Sequence, residues 1–216
     1  MLRVEVLTPA AVSIAPPLCA ALEGLPFVLA GGTGLALQLG HRVSVDFDWF
    51  CQPAHFPSGL SARITKTGKP MTVIQETTHI FECLLDDVKC SFFAYQPRLR
   101  SSGFRFHERS IAAVEDIAVM KLVAISQRGA KKDFFDLYEI LKGYDFRAIA
   151  RHAKEMLSET PVNPVHVAKS LSYFDDAERD PEPLLLISDS WDAVKDWFAR
   201  KVREHTDILL EELRLA

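Results

Sequence analysis

The stretch 27–50 constrains the fold more than any other part of the chain, because it predicts a strand, a glycine turn and a helix in direct succession. Phe27 to Ala30 is an apolar run typical of a buried strand, and helical apolar periodicity begins at Leu35. Gly31-Gly32-Thr33 lies between them. Glycine leaves φ free and lets a ligand approach the backbone, and N–H groups at a helix start bind anions. We therefore predict that this turn binds phosphate.

Two aspartates, Asp46 and Asp48, follow within the apolar segment 45–50. On a strand, residues two apart point to the same side, so both carboxylates are presented together while Phe47 faces the other way. Charged residues on a half-buried strand are costly unless they are paired or coordinate a metal. Mg²⁺ fits, because it binds one or two carboxylates together with substrate phosphates and water. Each feature alone is common, but a phosphate turn followed by a carboxylate pair is typical of phosphoryl or nucleotidyl transfer.

Two blocks of sequence resemble one family. The first, Gly31-Gly32-Thr33, Gly40-His41-Arg42 and Ser44-x-Asp46-x-Asp48-x-Phe50, resembles the opening motif of the AbiEii/AbiGii-type nucleotidyltransferases, toxin enzymes related to the DNA polymerase beta superfamily. The second, residues 121–141, resembles that family's later motif, a lysine followed by an arginine and an Asp-x-x-Asp-Leu helix. The resemblance implies an α+β fold, in which a polymerase-beta-like nucleotidyltransferase sheet lobe is followed by a helical C-terminal lobe.

The same resemblance implies an activity and partners. It implies a metal-dependent nucleotidyltransferase that transfers an NMP from an NTP to an acceptor hydroxyl, as the toxin of a type IV-like toxin–antitoxin system. Mg²⁺ is the expected cofactor, with Mn²⁺ as an alternative, and the NTP is the substrate. A cognate antitoxin protein is the implied partner, and RNA, for example the tRNA acceptor end, is a candidate acceptor. A protein or small-molecule acceptor would use the same residues.

Candidate site residues come from both blocks. We predict that Asp46 and Asp48 are metal ligands and catalytic residues. Lys121 and Asp133 are further predicted catalytic residues. The predicted nucleotide- and phosphate-binding residues are Gly31, Gly32, Thr33, Arg42, Arg128 and Lys132. Lys121 would place its ammonium on the triphosphate and stabilise the leaving pyrophosphate, or it extends along the helix surface. Asp133 and Asp136 share one helix face, although acids at a helix start also favour the dipole without any catalytic purpose.

The expected third acid departs from the superfamily pattern. The strand at 88–95, which corresponds to the strand that usually supplies this acid, has Ser91 at that point. A serine hydroxyl is a weak base and a weak magnesium ligand, so Glu82 or Asp133 would have to substitute. The departure motivates an alternative, a catalytically degenerate member that binds nucleotide or a partner protein without chemistry. A metal-dependent phosphohydrolase is a further alternative, because carboxylate pairs also serve hydrolysis.

Periodicity divides the chain into a strand-rich and a helix-rich part. Prolines restrict the predicted N-terminal helix to 18–22, whereas β-branched and aromatic residues predict strands at 71–77, 79–85 and 88–95, with Asp86-Asp87 as a hairpin turn. The pattern is helical from Ser110 onward. Predicted helices lie at about 115–129, 132–142, 146–157, 163–173 and 190–213. We interpret residues 1–112 as a sheet lobe with the metal and phosphate site, and residues 113–216 as a helical lobe that completes the cleft.

Composition limits partners and location. The net charge of −4 gives no global attraction to nucleic acid or to an anionic membrane, so an RNA would need a local basic patch or a partner. The four cysteines show no C-x-x-C pairing and lie in or beside apolar stretches, which predicts buried free thiols and a reducing compartment. No signal peptide and no apolar run long enough to span a membrane is evident. We expect a cytoplasmic protein that does not bind membranes.

Overall fold

Strands and helices are segregated along the chain in the computed structural model, which describes residues 1–213. The structure divides into two compact units, Met1–Ala113 and Val114–Ala216. The first unit contains the sheet with three α-helices, and the second is helical. The α+β class predicted from the sequence is confirmed. The last residues of the predicted helical lobe, 214–216, lie outside the described residues.

Within the described residues, seven strands form one mixed sheet in the order β3-β4-β5-β2-β1-β7-β6. They are β1 (Val28–Ala30), β2 (Asp46–Cys51), β3 (Met71–Glu76), β4 (Ile80–Leu85), β5 (Val88–Ala94), β6 (Ser101–Phe106) and β7 (Arg109–Ala112). The central strand β2 pairs antiparallel with β1 and parallel with β5. The predicted turn at Asp86 and Asp87 is confirmed, since both residues have positive φ, 50° and 64°, as a two-residue hairpin of type I′ requires.

Burial alternates along β2 and gives the sheet two different faces. Phe47 and Trp49 are fully buried in the core, whereas Asp46, Asp48 and Phe50 are half-buried on the opposite face. We call this second side of the sheet, defined by Asp46, Asp48 and Phe50, the carboxylate face. The period-2 alternation predicted from the sequence therefore determines where the charged groups lie.

Three α-helices lie in the first unit: α1 (Pro9–Ala21), α2 (Gly31–Leu39) and α3 (Leu60–Thr65). The restriction of the first helix to 18–22 was wrong, because α1 continues through Pro16 and Pro17. Thr8 caps it by accepting a hydrogen bond from Ala11 N at 3.2 Å. Ile14 and Leu18 are fully buried, and this burial at i, i+4 spacing offsets the loss of backbone donors at the two prolines.

The hairpin of β6 and β7 was not predicted. Its residues 101–105 are mostly exposed and include Ser101, Ser102 and Gly103, which have low strand propensity. The assignment of helix from Ser110 onward was wrong, because residues 110–112 belong to β7, which pairs in parallel with β1. Pairing with a neighbouring strand therefore overrides a weak local pattern.

The second unit consists of α4 (Val114–Arg128), α5 (Lys131–Leu141), α6 (Phe146–Met156), α7 (Pro164–Ser170) and α8 (Trp191–Glu212). Each predicted helix is present, with ends that differ by a few residues. Side chains of Asp145, Asn163 and Ser190 cap α6, α7 and α8. Phe134 on α5 packs edge-on against Trp191 and Phe198 of α8, with ring centroids 5.7 and 5.6 Å apart. These three aromatic residues are buried in the core of the second unit.

Two further expectations concern the chain as a whole. Cys19, Cys51, Cys83 and Cys90 are buried and free, which confirms the predicted thiol state. Among residues 1–213, no helix combines the length and the apolar character needed to cross a membrane.

Candidate functional site

Two glycines at the turn between β1 and α2 give space to two charged side chains. Gly31 has φ +60°, and a Cβ at this position would lie 2.5 Å from Asp48 Oδ2. A Cβ at Gly32 would overlap the Arg42 guanidinium, whose Nη1 donates to Val43 O at 3.1 Å. The glycines therefore allow a carboxylate and a guanidinium to lie directly against the backbone of the turn.

The first turn of α2 provides backbone donors at the same place. The first N–H groups of a helix lack intrahelical acceptors, and Ala30, the N-cap residue, has no side-chain acceptor to satisfy them. Ala30 is also paired with Asp48 across the sheet. An anion at this helix start and the Asp48 carboxylate would repel each other unless a cation lies between them.

The carboxylate pair fits such a cation. Asp46 and Asp48 present hard oxygen ligands on the same half-buried face of β2, and the absence of a side chain at Gly31 leaves room for the Asp48 carboxylate. Within the described residues, no three or more His, Cys, Asp and Glu side chains converge on one point. A bound Mg²⁺ would therefore complete its shell with substrate phosphates and water, as this ion prefers.

A third carboxylate lies in register with Asp48. Ser91 on β5 is paired with Asp48, and Glu82 on β4 is paired with Ser91, so the three residues form one row across the carboxylate face. Ser91 Oγ donates to Glu82 Oε1 at 3.1 Å, and Lys89 Nζ lies 2.8 Å from the same oxygen. The hydrogen bond from Lys89 lowers the pKa of Glu82. Burial opposes this shift, and the hydrogen bond from Ser91 lowers the pKa by a smaller amount. Glu82 is thus an ionised acid with a cationic neighbour.

The Thr33 side chain is directed inside the protein. Its hydroxyl is fully buried, donates to the main-chain oxygen of Asp46 and lies 2.7 Å from Ser44 Oγ. The sequence predicted that Thr33 faces phosphate, but the structure places the hydroxyl between α2 and β2. A phosphate contact from this residue would have to come from its backbone N–H.

Four charged residues of the second unit form a compact cluster, which we call the Lys121 cluster: Lys121, Arg128, Asp133 and Asp136. Lys121 Nζ lies 2.7 Å from Asp133 Oδ1 and 2.6 Å from Asp136 Oδ2, and both carboxylates are fully buried. Arg128 donates twice to Asp133, from Nε at 2.8 Å and from Nη2 at 3.1 Å. The Lys121 side chain is only 5% exposed, so the alternative of a surface-exposed ammonium is wrong.

Charges balance within the Lys121 cluster. Burial alone would raise the pKa of Asp133, but the positive charges of Lys121 and Arg128 outweigh it and lower that pKa. The Asp133 carboxylate therefore stays ionised in the interior, because the two neighbouring cations compensate its charge. The Arg128 side chain is 57% exposed and Lys132 is half-buried, so both are nearer the surface than Lys121.

Comparison with known proteins decides the family. The model of the family described as "Nucleotidyl transferase AbiEii toxin, Type IV TA system" matches residues 18–80 and 91–208. The chain belongs to the AbiEii nucleotidyltransferase toxin family. The match includes both blocks in which the resemblance was first seen, and this confirms the resemblance.

Similar proteins support the fold of this AbiEii-family chain. An uncharacterized protein, aq_aa25 of Aquifex aeolicus (strain VF5), is 38% identical over 192 residues, which cover 84% of this chain and 88% of that protein. JHP933 from Helicobacter pylori is similar in structure, with a TM-score of 0.61, 19% identity and coverage of 95% of this chain and 96% of that chain. MenT4, a nucleotidyltransferase toxin from Mycobacterium tuberculosis H37Rv, has a TM-score of 0.55 and 14% identity, with coverage of 94% and 91%.

The AbiEii-type motifs are evident in the sequence, but the contacts between their residues are not. Ser44 is only a motif position in the sequence, whereas in the structure it contacts the hydroxyl of Thr33. The sequence offers Glu82 as a substitute acid but does not place it beside Ser91. A serine opposite an acid on neighbouring strands would have been the signal, but its use requires the strand register. The role of each site residue stays a prediction.

Proposed function

We propose that this AbiEii-family protein is a magnesium-dependent nucleotidyltransferase that transfers an NMP from an NTP to a hydroxyl of an RNA, with the tRNA acceptor end as the first candidate. The observation that supports this most directly is the position of Asp48. Its carboxylate lies against Gly31 at the start of α2 and shares one strand face with Asp46. A helix start with backbone donors and a pair of carboxylates thus meet at one point of the first unit, and this supports a combined phosphate and metal site there.

In the proposed reaction, an acceptor oxygen forms a bond to the α-phosphorus of the NTP, and the bond from that phosphorus to the β-phosphate oxygen breaks. Pyrophosphate leaves, and the acceptor proton is released to water. Mg²⁺, held by Asp46 and Asp48, supplies charge neutralisation and Lewis-acid activation when bound. Backbone N–H groups of the first turn of α2 bind the outgoing phosphates. The Arg42 guanidinium lies beside the same turn, next to Gly32.

Glu82 has an electrostatic role in this proposal. Because Lys89 lowers its pKa, Glu82 is a weak proton acceptor. Glu82 lies in the same row of the sheet as Asp48, so its negative charge favours the binding of cations on the carboxylate face. Ser91 holds this carboxylate by a hydrogen bond and does not replace it as an acid.

For the second unit we assign positioning roles to the buried members of the Lys121 cluster. The two ion pairs of Lys121 engage its ammonium with Asp133 and Asp136. Asp133 in turn orients Arg128, whose exposed guanidinium suits a phosphate group. Lys132 adds a second cation to this surface.

The experiment is incubation of the purified protein with each α-³²P-labelled NTP, Mg²⁺ and total cellular RNA, with Asp46→Asn as the blank. Label on RNA with the wild type alone, together with release of pyrophosphate, is the expected result. Release of inorganic phosphate without labelling would instead indicate a phosphohydrolase. Label on protein instead of RNA would overturn the RNA acceptor but not the transfer chemistry.

A second candidate, nucleotide binding without chemistry, is favoured by Ser91 at the position of the third acid. It would show as Mg²⁺-dependent thermal stabilisation by an NTP without turnover. Family membership also implies a cognate antitoxin as partner. We propose that co-expression with the product of an adjacent short reading frame suppresses the transfer activity.

A further inference from the structure

A cavity of about 540 Å³ lies in the first unit, next to the carboxylate face. Its volume is in the range of pockets that hold small organic ligands. The lining includes Val28 of β1, Phe50 of β2, Tyr95 after β5 and Ser110 of β7. Phe50 follows Asp48 by two residues on one face of β2, so the cavity begins about 7 Å along the strand from Asp48.

Strand direction places this cavity and the start of α2 on opposite sides of Asp48. β1 runs antiparallel to β2, with Val28 paired with Phe50 and Ala30 paired with Asp48. Helix α2 begins directly after Ala30, whereas the cavity lies at the Val28–Phe50 end. In phosphoryl transfer, the attacking and leaving oxygens are roughly in line on opposite sides of the phosphorus. If pyrophosphate leaves toward α2, the acceptor oxygen must approach from the side of the cavity.

The cavity has the chemistry of a single-strand nucleic-acid site. Phe50 stacks on Phe93 with ring centroids 5.3 Å apart and contacts Tyr95 edge-on at 5.6 Å, which gives a partly exposed aromatic surface. Arg98 and Arg100 are exposed members of the lining, and Gln52 and His55 add further hydrogen-bonding groups. Among the lining residues, all of which belong to the described chain, none is acidic. This is a local basic patch in a chain whose net charge is −4.

We infer that this cavity, which we call the acceptor cavity, binds the 3′-terminal nucleotides of a single-stranded RNA end. A terminal base stacks beside Tyr95 and Phe50, and Arg98 and Arg100 bind backbone phosphates. The terminal hydroxyl is thereby directed toward Asp48. This inference rests on the proposed function, because it names the acceptor site of that reaction.

The test is direct binding of a six-nucleotide, 5′-fluorescein-labelled single-stranded RNA with a free 3′-hydroxyl, measured by fluorescence anisotropy without NTP. We expect the Arg98→Ala/Arg100→Ala variant to raise the Kd at least tenfold. Tyr95→Leu, which keeps an apolar contact for Phe50 but removes the ring, raises it severalfold. The matched control is Arg105→Ala/Lys66→Ala, which removes two exposed cations outside the lining and keeps the Kd within twofold of wild type.

Salt dependence provides a second measurement. Loss of two phosphate contacts should reduce the slope of log Kd against log salt by about 1.4, since each contact on a single strand contributes about 0.7. The inference would be overturned if the wild type did not bind the RNA or if Arg98→Ala/Arg100→Ala had the wild-type Kd. An equal loss of RNA affinity in the control variant would also overturn it.

The assay separates this inference from the proposed function. RNA binding needs no NTP, whereas the proposed function is judged by pyrophosphate release and RNA labelling. If the wild type transfers label, Arg98→Ala/Arg100→Ala should raise KM for RNA at least tenfold and leave KM for the NTP within twofold. An acceptor cavity that binds RNA in a protein without transfer activity would contradict the proposed function alone.

Discussion

Single residues decide the chemistry at the carboxylate face. Asp48 contacts the turn through Gly31, shares β2 with Asp46 and is in register with Ser91. Each of these relations concerns one side chain, so each can be tested by one substitution.

Asp46→Asn and Asp48→Asn should each lower nucleotidyl transfer at least about hundredfold, because each removes a proposed metal ligand and its charge. Both variants should remain folded, since removal of one charge from a like-charged pair relieves repulsion in the metal-free protein. Labelled-NTP assays and circular dichroism measure the two effects. Wild-type activity in folded Asp48→Asn would contradict the metal-site assignment.

Glu82→Gln should lower transfer by about tenfold or less and leave the acidic side of the pH–rate profile unchanged, because Glu82 is assigned an electrostatic role and is a weak base. Ser91→Ala, which removes only the hydroxyl next to Glu82, serves as the matched variant and should have a smaller effect. Complete loss of activity in Glu82→Gln, with a changed pH profile, would show instead that Glu82 accepts the acceptor's proton.

Pairs of elements create the two charged sites, and their junctions are sensitive to small changes. The start of α2 is held against β2 by Thr33, and the Lys121 cluster joins α4 to α5. Substitutions at such junctions test whether a residue matters for stability, for activity or for both.

Gly31→Ala should abolish transfer, because its Cβ would overlap the Asp48 carboxylate in addition to straining a backbone with φ +60°. Gly59→Ala is the matched control, since Gly59 has φ +71° and open space around it. Both variants should lose about 1 kcal/mol of unfolding free energy from the left-handed backbone. Only Gly31→Ala should lose activity, and full activity there would indicate that the turn and Asp48 move independently.

Lys121→Met should destabilise the protein by about 3–5 kcal/mol, because it leaves Asp133 and Asp136 buried with one cation fewer. Arg128→Met should cost about 1–3 kcal/mol, less than Lys121→Met, since it removes two hydrogen bonds to buried Asp133 but takes away a side chain that is 57% exposed. It should also raise KM for a phosphate-containing substrate. Urea unfolding and steady-state kinetics distinguish the two. Equal stability of Lys121→Met and wild type would refute a positioning role for Lys121.

At the scale of the whole molecule, stability should depend on pH through a buried histidine. His205 is 3% exposed and stacks on Phe146 with ring centroids 3.9 Å apart. Burial lowers the pKa of His205 to about 4. Between pH 6.5 and 4 the unfolded chain binds more protons than the folded one, so stability is lost as the pH falls through this window.

The loss from His205 should reach roughly 3 kcal/mol at pH 4 relative to pH 7. His205→Phe removes the titration and should flatten the dependence of unfolding free energy on pH between 7 and 4, measured by urea titration. His55→Gln, a change at an exposed histidine, should retain the wild-type slope. A wild-type slope in His205→Phe would assign the pH dependence to other groups.

Local patterns in the sequence were enough to predict several helices, strands and turns of this protein. The alternation around Asp46 and Asp48, the hairpin at Asp86-Asp87 and the five C-terminal helices follow from neighbours within a few residues. The glycine turn before α2 belongs to the same class. These features could be predicted because period, turn conformation and helix caps depend on short-range sterics and hydrogen bonds.

Only the tertiary structure decided which distant residues meet. Sheet register places Glu82 in line with Asp48, packing places Arg42 against Gly32, and helix pairing encloses Lys121 between Asp133 and Asp136. Burial in the tertiary structure also stabilises α1 across Pro16 and Pro17. Pairing with β1 stabilises β7, although the local sequence pattern for a strand there is weak. Such contacts depend on register and burial across the whole unit, which no short stretch of sequence encodes by itself.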